Sequence, residues 1–241
     1  MGIRNGLRNI AKAVVDTDLV SALLLGVEKR GENRMAEFGI LAQAFEFCRI
    51  NGVKGDYMEF GLWRGKTFSM ALKLRKRFLL HDMHAWGFDS FSGLPPVTAD
   101  GEMQDNIWSA GQFSCSEAEL RKILKAKGFS ENDYTLVPGF YNDSLNDSLI
   151  AKMAGRSAAI AYIDCDLYES TRDVLNFLKH FLTNGSLVCF DDFYNYKGAP
   201  DQGEQRALGE FLVANPHLEF IPYMNYSPLG KSFIVRNNQS S

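Results

Sequence analysis

The chain has 241 residues, of which 46% are hydrophobic and 23% charged, and its formal net charge is -3. These values are ordinary for a soluble globular protein, and without a basic run they argue against a general affinity for nucleic acid. The length suits one α/β domain with additional elements. No stretch is long and apolar enough to cross a membrane.

Cysteine spacing and the amino-terminal sequence bear on the cellular compartment. The four cysteines show no metal-ligand spacing, and two of them fall in or beside predicted strands, so we expect buried thiols rather than disulfides. Asp16 and Asp18 interrupt the first apolar run before the core of a signal peptide could form. A reduced, cytoplasmic compartment is the default expectation. The cysteines are Cys48, Cys115, Cys165 and Cys189.

Two parts are predicted along the chain. Residues 1–50 form a helical extension that serves as a lid or an oligomer contact, with a wide apolar helix face over 35–50. Residues 51–241 form the main domain, in which strands and helices alternate. Its first elements are a strand at Asp56–Phe60, a helix at Gly65–Arg77, a strand at Ala85–Asp89, a long loop at Ser90–Ser114, a capped helix from Ser116 to Lys127, a strand at Tyr134–Val137 and a helix at Asp143–Met153.

The central unit of the chain covers residues 160–192. Its two continuous apolar runs, Ile160–Ile163 and Ser186–Phe190, suit strands buried on both faces, as in a parallel sheet covered by helices. Between them lie three leucines at helical spacing and an Asn-Gly stop signal: Leu175, Leu178 and Leu182, then Asn184-Gly185. A helix at Glu204–Val213 and a hairpin of Leu218–Tyr223 and Ser232–Val235 follow. The order predicts an α/β fold with a mostly parallel sheet.

Carboxylates follow both apolar runs of the central unit. A parallel crossover brings the carboxyl ends of both strands to one edge of the sheet, so Asp164, Asp191 and Asp192 should converge there. Open α/β sheets bind ligands at that edge. Three crowded carboxylates repel one another unless something positive lies among them, and a divalent cation with oxygen ligands is the simplest candidate.

A glycine-containing turn follows the first predicted strand. Gly61 and Gly65 let the backbone approach a ligand and present the amides of a helix amino terminus. Their spacing is not the dinucleotide pattern, which disfavours an NAD-binding or nucleotide-sugar enzyme. Asp89 ends the second strand, where an acidic residue commonly accepts hydrogen bonds from ribose hydroxyls. Together these features indicate an adenosine-containing ligand.

Four motifs, in order, carry a resemblance to a known family. They are Glu59-Phe60-Gly61-Leu62-Trp63-Arg64-Gly65, Phe88-Asp89-Ser90-Phe91-Ser92-Gly93-Leu94-Pro95, Asp164-Cys165-Asp166-Leu167-Tyr168-Glu169-Ser170-Thr171 and Asp191-Asp192-Phe193. Over residues 55–210 the chain resembles the macrocin O-methyltransferase family, S-adenosylmethionine-dependent enzymes that methylate sugar hydroxyls of macrolides and related natural products. The resemblance implies a class I methyltransferase fold with a seven-stranded sheet and Mg²⁺-dependent transfer.

The resemblance also implies roles for individual residues. The methionine part of S-adenosylmethionine would be lined by Glu59, Gly61 and Gly65. Asp89 would hold the ribose and Ser90 would lie near the adenosine. The metal ligands would be Asp164, Asp191 and Asp192. Asp166 has two alternative roles: it binds substrate or cofactor, or it caps the helix that starts near Leu167.

One departure from the family concerns the general base. Characterised sugar methyltransferases of the family place a histidine in the loop after the second strand, but Ser90–Ser114 contains none. The four histidines of the chain lie elsewhere. Either an acid of this loop takes the proton or the metal alone suffices, so the base is unassigned. The candidate acids are Asp100, Glu102 and Asp105.

The sequence therefore predicts a Mg²⁺-dependent O-methyltransferase that uses S-adenosylmethionine. Its acceptor is a small hydroxylated molecule, first of all a sugar in a natural product or surface glycan. One alternative is a catechol-like phenolic acceptor, and another is a non-catalytic binding protein that keeps the fold. A homo-oligomer is possible. Aromatic residues of the two long loops are candidates for the wall of an acceptor pocket: Trp108, Phe113, Tyr194 and Tyr196.

Overall fold

The computed structural model describes residues 39–97 and 107–239. Its helices are α1 (39–51), α2 (Lys66–Arg77), α3 (Glu117–Ala126), α4 (Tyr141–Ser144), α5 (Asp147–Lys152), α6 (Tyr168–Leu178) and α7 (Gly203–Ala214), with a 3₁₀ turn at Tyr196–Gly198. Its strands are β1 (Asp56–Phe60), β2 (Ala85–Asp89), β3 (Thr135–Pro138), β4 (Ala158–Ile163), β5 (Leu182–Phe190), β6 (Leu218–Asn225) and β7 (Lys231–Asn237).

The described strands form one sheet in the order β3-β2-β1-β4-β5-β7-β6. The first five strands along this order run parallel, and β7 pairs antiparallel with both β5 and β6. The order reverses direction between β1 and β4, which is the switch point where open α/β sheets leave a crevice for ligands. The predicted α/β class, with a mostly parallel seven-stranded sheet and a closing hairpin, is confirmed.

Alternate residues of the central strands pack into two separate cores, one on each face of the sheet. On β1, Met58 and Phe60 join the core that contains α6 and α7, whereas Tyr57 joins the core that contains α1, α2 and α3. Every residue of β4 is buried. Covering both faces removes the need for polar alternation, which explains the continuous apolar runs in the sequence.

Helix α1 forms part of the second core. Five of its residues are almost fully buried there: Ile40, Leu41, Ala44, Phe45 and Cys48. The end of the predicted amino-terminal extension therefore packs against the sheet. Residues 1–38 lie outside the described residues, so the division at residue 50 and the role of a lid or oligomer contact stay predictions.

Two predicted helix boundaries were wrong. Leu182 begins β5 instead of ending a helix, and Asn184-Gly185 lies inside that strand. Pairing with β4 makes these residues a strand. Ala158 N donates to Phe181 O at 2.9 Å, and the register between the two strands then shifts at a bulge. The predicted helix at Asp143–Met153 is divided into α4 and α5, because the Asn146 side chain caps a new helix by accepting from Leu149 N at 3.1 Å.

Other sequence expectations are met. The four cysteines are buried free thiols. Ser116 caps α3, and its Oγ accepts from Glu119 N at 3.3 Å, as the capping-box pattern predicts. None of the helices within 39–97 and 107–239 combines the length and apolarity that a membrane crossing requires.

Gly61 is the contact at which β1 meets the end of β4. Its φ is 92°, and a Cβ atom built on it would lie 1.7 Å from Asp164 O. No side chain fits that space, because the obstacle is backbone and not a flexible side chain. The close approach also explains why the first turn of the domain lies directly beside the acidic residues that follow β4.

Replacing Gly61 by alanine should therefore disturb both stability and the acidic edge. Gly52→Ala is the matched control, since Gly52 also has a positive φ (66°) but nothing within 4 Å of the added Cβ. We expect Gly61→Ala to lower the free energy of unfolding by about 2 kcal/mol more than the control does, because overpacking adds to the backbone strain that both variants share. Urea denaturation measures the difference, and equal losses in the two variants would contradict the assigned contact.

Candidate active site

A cavity of about 590 Å³ opens at the carboxyl edge of the sheet. Each of the five parallel strands contributes the residue at or just after its end: Gly61 from β1, Asp89 from β2, Gly139 from β3, Asp164 from β4 and Asp191 from β5. The rest of the lining comes from Trp63 after β1, the loop after β2, Phe140 with α4, the segment between β4 and α6, the first turns of α6, and Asp192. The cavity thus occupies the crevice that the strand order creates.

Three carboxylates lie together in this cavity. Oxygen atoms of Asp164, Asp166 and Asp192 all lie within 4.8 Å of one another, close enough to hold one metal ion. Burial, and then the charges of neighbouring aspartates, hold the pKa of Asp164 well above its usual range. Burial, and then the charge of Asp191, raise the pKa of Asp192 to about 6. Such shifts are the expected result of crowding acids without a cation.

Asp166 reaches this group through an unusual backbone conformation. Its φ is 64°, in the left-handed region that aspartate tolerates better than most residues. Helix α6 begins at Tyr168, and its N-cap residue, Leu167, makes no side-chain cap hydrogen bond. Both roles predicted for Asp166 stay predictions, and its grouping with Asp164 and Asp192 supports the ligand role.

Asp191 occupies a different position from the other two predicted ligands. It lines the cavity, but its Oδ1 accepts a hydrogen bond from Tyr162 Oη at 2.6 Å and a weaker one from Tyr226 Oη at 3.4 Å. The three grouped carboxylates include Asp166 in place of Asp191. The ligand role of Asp191 stays a prediction, and the hydrogen bonds identify it in addition as a carboxylate held in place by two tyrosines.

Glu204 lies directly behind Asp192 and was missed by the sequence analysis. Its side chain is 1% exposed, and its Oε2 accepts from Asp192 N at 3.2 Å. Burial, followed by the charges of Asp192 and Asp191, holds its pKa well above the usual range. Asn195 Nδ2 also donates to Asp192 Oδ1 at 2.8 Å. The only sequence signal was an acid in the first turn of a helix, which usually faces solvent.

Asp89 organises the turn after β1. Its Oδ2 accepts from Leu62 N at 2.7 Å and Trp63 N at 3.1 Å, and its Oδ1 accepts from Phe91 N at 2.7 Å. Two ionised oxygens offer about four acceptor positions, so at least one remains for a ligand hydroxyl. Burial raises the pKa of Asp89, whereas these backbone hydrogen bonds oppose the rise.

The other predicted cofactor residues divide between the cavity and the layer behind it. Gly61 and Ser90 line the cavity, and Ser90 Oγ donates to Gly93 O at 2.8 Å. Glu59 is fully buried and accepts hydrogen bonds from Tyr57 and Thr67, outside the described lining. Gly65 is the N-cap residue of α2 and faces Leu120 of α3. The contacts predicted for Glu59 and Gly65 stay predictions.

The proton acceptor is not settled by the described residues. The candidate acids Asp100, Glu102 and Asp105 lie outside them. Within the described part of the lining there is no histidine. His84 lies at the amino end of β2, where its Nε2 is 2.9 Å from Thr135 Oγ1, at the edge of the sheet opposite to the cavity.

An aromatic wall closes one side of the cavity. It consists of Trp63, Trp108 and Phe113, with ring centroids 5.6 Å apart for Trp63 and Phe113 and 6.0 Å apart for Trp108 and Phe113. Two backbone hydrogen bonds join the two described ends of the loop after β2: Leu94 N donates to Gln112 O, and Gly111 N donates to Leu94 O. Trp108 and Phe113 thus form part of a wall as predicted, whereas Tyr194 and Tyr196 are absent from the described lining.

A charged helix face lies in the same lining and was also missed from the sequence. It consists of Glu169, Arg172 and Asp173, all in the first turns of α6. Arg172 Nε and Nη2 both donate to Asp173 Oδ1, at 3.1 and 2.9 Å. This part of the cavity is therefore polar but contains more carboxylates than cations.

Curated proteins of similar sequence are O-methyltransferases by name. Demethyldecarbamoylnovobiocin O-methyltransferase of Streptomyces niveus is 30% identical over 157 residues, which cover 64% of this chain and 58% of that protein. Mycinamicin III 3''-O-methyltransferase of Micromonospora griseorubida is 26% identical over 165 residues, which cover 66% and 63%. The chain thus spans about three fifths of the length of these relatives.

Solved structures share the fold. The O-methyltransferase NovP aligns with a TM-score of 0.71 at 24% identity, covering 84% of this chain and 80% of that one. The calicheamicin methyltransferase CalS11 aligns with a TM-score of 0.68 at 23% identity, covering 94% and 90%. The family model of macrocin-O-methyltransferase (TylF) matches residues 21–207 of the 241 residues. The chain therefore belongs to the macrocin-O-methyltransferase family.

Proposed function

We propose that this chain is an S-adenosylmethionine- and Mg²⁺-dependent O-methyltransferase that methylates a hydroxyl of a sugar in a glycosylated natural product. The observation that carries the proposal is the meeting of Asp164, Asp166 and Asp192 on the same cavity as Asp89, in a chain of this family. The three grouped aspartates fit a hard divalent cation, and Asp89 fits a ribose hydroxyl.

The chemistry of the three grouped aspartates suits a metal site. Its donors are oxygens alone, which Mg²⁺ prefers. The pKa values of Asp164 and Asp192 are raised by burial and then by repulsion from neighbouring acids, and a cation would relieve that repulsion. Asp164, Asp166 and Asp192 would hold the ion, with Asp191 as the alternative ligand from the sequence. A bound Mg²⁺ would lower the pKa of an acceptor hydroxyl and fix its position.

The opposite side of the cavity fits the cofactor. Asp89 keeps acceptor capacity for a ribose hydroxyl, and Gly61 lets the ligand approach the backbone of the first turn. When bound, S-adenosylmethionine would supply the methyl group of its positive sulfur to the acceptor oxygen, with S-adenosylhomocysteine and a proton as the other products. The task of the chain is then to align the hydroxyl and to receive that proton.

A sugar acceptor is favoured by the named relatives. Besides the two described above, an O-methyltransferase of Streptomyces olivaceus, 30% identical over 160 residues, acts by its name on a rhamnosyl group of a tetracenomycin. A solved relative, CalS11, is described as a TDP-rhamnose 3'-O-methyltransferase. Vicinal hydroxyls of a catechol would also suit a metal site, so a phenolic acceptor is the alternative. A non-catalytic role is disfavoured because the grouped acids are all present.

Cofactor binding tests the proposal without knowledge of the acceptor. Isothermal titration of S-adenosylhomocysteine should give saturable binding, and Asp89→Ala should weaken it about tenfold or more because the ribose loses its acceptor. Asp82→Ala is the matched control, since Asp82 is an exposed acid before β2 and outside the described lining. Absence of binding to the unaltered protein would remove the cofactor from the proposal.

Without metal, the folded protein should lose stability as the pH rises, and Mg²⁺ should restore the lost stability. The pKa of Asp192 is raised in the folded state to about 6. The stability that its protonation gives the folded state is therefore fully present below pH 4 and is lost as the pH rises through 6. Without metal, we expect the melting temperature to fall by about 5 °C between pH 5 and 7.5, and Mg²⁺ to restore it at pH 7.5 but hardly at pH 5.

Thermal melting with and without EDTA measures both effects, and Asp192→Asn should flatten them. A metal-free protein that melts higher at pH 7.5 than at pH 5, in both unaltered and Asp192→Asn forms, would contradict the assigned crowding.

The three grouped carboxylates should be essential for turnover, whereas the binding of the cofactor should depend on them only weakly. With an acceptor found by screening glycosides and diols, EDTA should abolish methyl transfer and excess Mg²⁺ should restore it. Asp164→Asn should lower kcat about 100-fold or more while leaving the affinity for S-adenosylhomocysteine nearly unchanged. Asp201→Asn, at an exposed position before α7, is the control. Unchanged turnover in Asp164→Asn would show that the ligand is misassigned.

A further inference from the structure

Asp192 is the first residue after β5 whose amide no longer pairs with β4. The preceding amide, Asp191 N, still donates to Ile163 O of β4 at 3.0 Å. Asp192 N donates instead to Glu204 Oε2 of α7 at 3.2 Å. At the point where the chain leaves the sheet, its backbone is therefore held by a side chain that comes from a different element.

Two further hydrogen bonds of Asp192 are local. Asn195 N donates to Asp192 O at 3.0 Å, and Asn195 Nδ2 donates to Asp192 Oδ1 at 2.8 Å. Both donors lie three residues further along the same loop, so these bonds close a turn without fixing that turn relative to the sheet. The bond to Glu204 reaches a helix outside the loop and supplies that constraint.

Packing of α7 on α6 gives Glu204 a fixed position. The two helices share one core, and Tyr168 Oη of α6 donates to Glu210 Oε2 of α7 at 2.6 Å. The guanidinium of Arg206 lies 4.1 Å from the ring centroid of Tyr168. Because α6 begins two residues after Asp166, the same pair of helices locates Asp166 and, through Glu204, the backbone of Asp192.

Glu204 is an unfavourable residue where packing alone is concerned. Its side chain is buried and lies outside the described lining of the cavity. Burial, and then the charges of Asp192 and Asp191, raise its pKa, and its Oε1 has no hydrogen-bond partner among the described residues. An apolar side chain would avoid these costs. What an apolar side chain could not supply is the acceptor for Asp192 N.

We propose that Glu204 is a positioning residue of the metal site: by accepting from Asp192 N it fixes the turn that carries Asp192 and so the spacing of the three grouped carboxylates. The inference rests on the proposed function and adds to it a residue outside both the metal ligands and the cavity lining. Groups behind the ligands of a metal commonly orient those ligands, and their loss weakens metal binding by about 10- to 100-fold.

Hydrogen exchange of the Asp192 amide tests the contact without a metal. Glu204→Met keeps a side chain of similar length but has no oxygen to accept the hydrogen bond. The Asp192 amide of this variant should exchange about tenfold or more faster than in the unaltered protein, as measured by NMR on metal-free samples. Glu204→Gln keeps an accepting oxygen and should leave the rate within about threefold. Equal exchange in Glu204→Met and the unaltered protein would overturn the proposal.

Mg²⁺ titration tests the consequence for the metal site. By isothermal titration at constant pH, Glu204→Met should bind Mg²⁺ about tenfold or more weakly than the unaltered protein, and Glu204→Gln within about threefold of it. Both variants should keep their affinity for S-adenosylhomocysteine within about twofold, because Glu204 lies outside the lining. Glu219→Met is the matched control, since Glu219 is an exposed acid of β6 outside the described lining, and it should change neither affinity.

The pattern of losses separates the inference from its rivals. A loss in Glu204→Gln as large as in Glu204→Met would show that the charge of Glu204 matters and not its accepting oxygen, which overturns the proposal. Equal losses of affinity for Mg²⁺ and for S-adenosylhomocysteine would assign Glu204 a merely structural role, with the same result. An unaltered protein that binds no Mg²⁺ would contradict the proposed function, and exchange of the Asp192 amide would then decide the inference alone.

Discussion

Repulsion among buried carboxylates is the constraint on which the acidic edge of this sheet depends. Asp164, Asp166 and Asp192 lie within 4.8 Å of one another, and burial denies them the water that would otherwise screen their charges. Neighbouring side chains donate hydrogen bonds to acids of this edge: Asn195 donates to Asp192, and Tyr162 and Tyr226 donate to Asp191. These neutral donors orient the acids but bring no positive charge, which is the physical reason for proposing a cation among them.

The two sides of the cavity are kept close by backbone packing. β1 and β4 are neighbours in the sheet although a hundred residues separate them, and Gly61 lets their ends touch. On one side of this contact, Asp89 accepts hydrogen bonds from two backbone amides of the first turn and from one amide of its own loop. On the other side lie the acids after β4 and β5.

Local sequence patterns predicted most of the fold because its central strands are buried on both faces. Continuous apolar runs give β4 and the end of β5 clearly, and the resemblance to the family adds the seven-stranded sheet. The start of β5 was missed because Leu182 continues the helical spacing of Leu175 and Leu178, while the pairing of residue 181 with β4 is a long-range contact.

The site was predicted in part for the same reason. Strand ends identify Asp164, Asp191 and Asp192, but no local signal reveals that Asp166 turns into the group through a left-handed backbone conformation. Glu204 and Tyr226 reach the acids from far along the chain, so only tertiary structure shows their contacts.

Tyr226 has a consequence for how the protein matures. It lies between β6 and β7, donates to Phe190 O at 2.7 Å and approaches Asp191, while β7 covers the open side of β5. During synthesis, β1 to β5 leave the ribosome before this support exists, and domains acquire their final packing only once the contacts that complete them have been made. The nascent chain therefore lacks the tyrosine contacts to Phe190 and Asp191 until its last hairpin has been made.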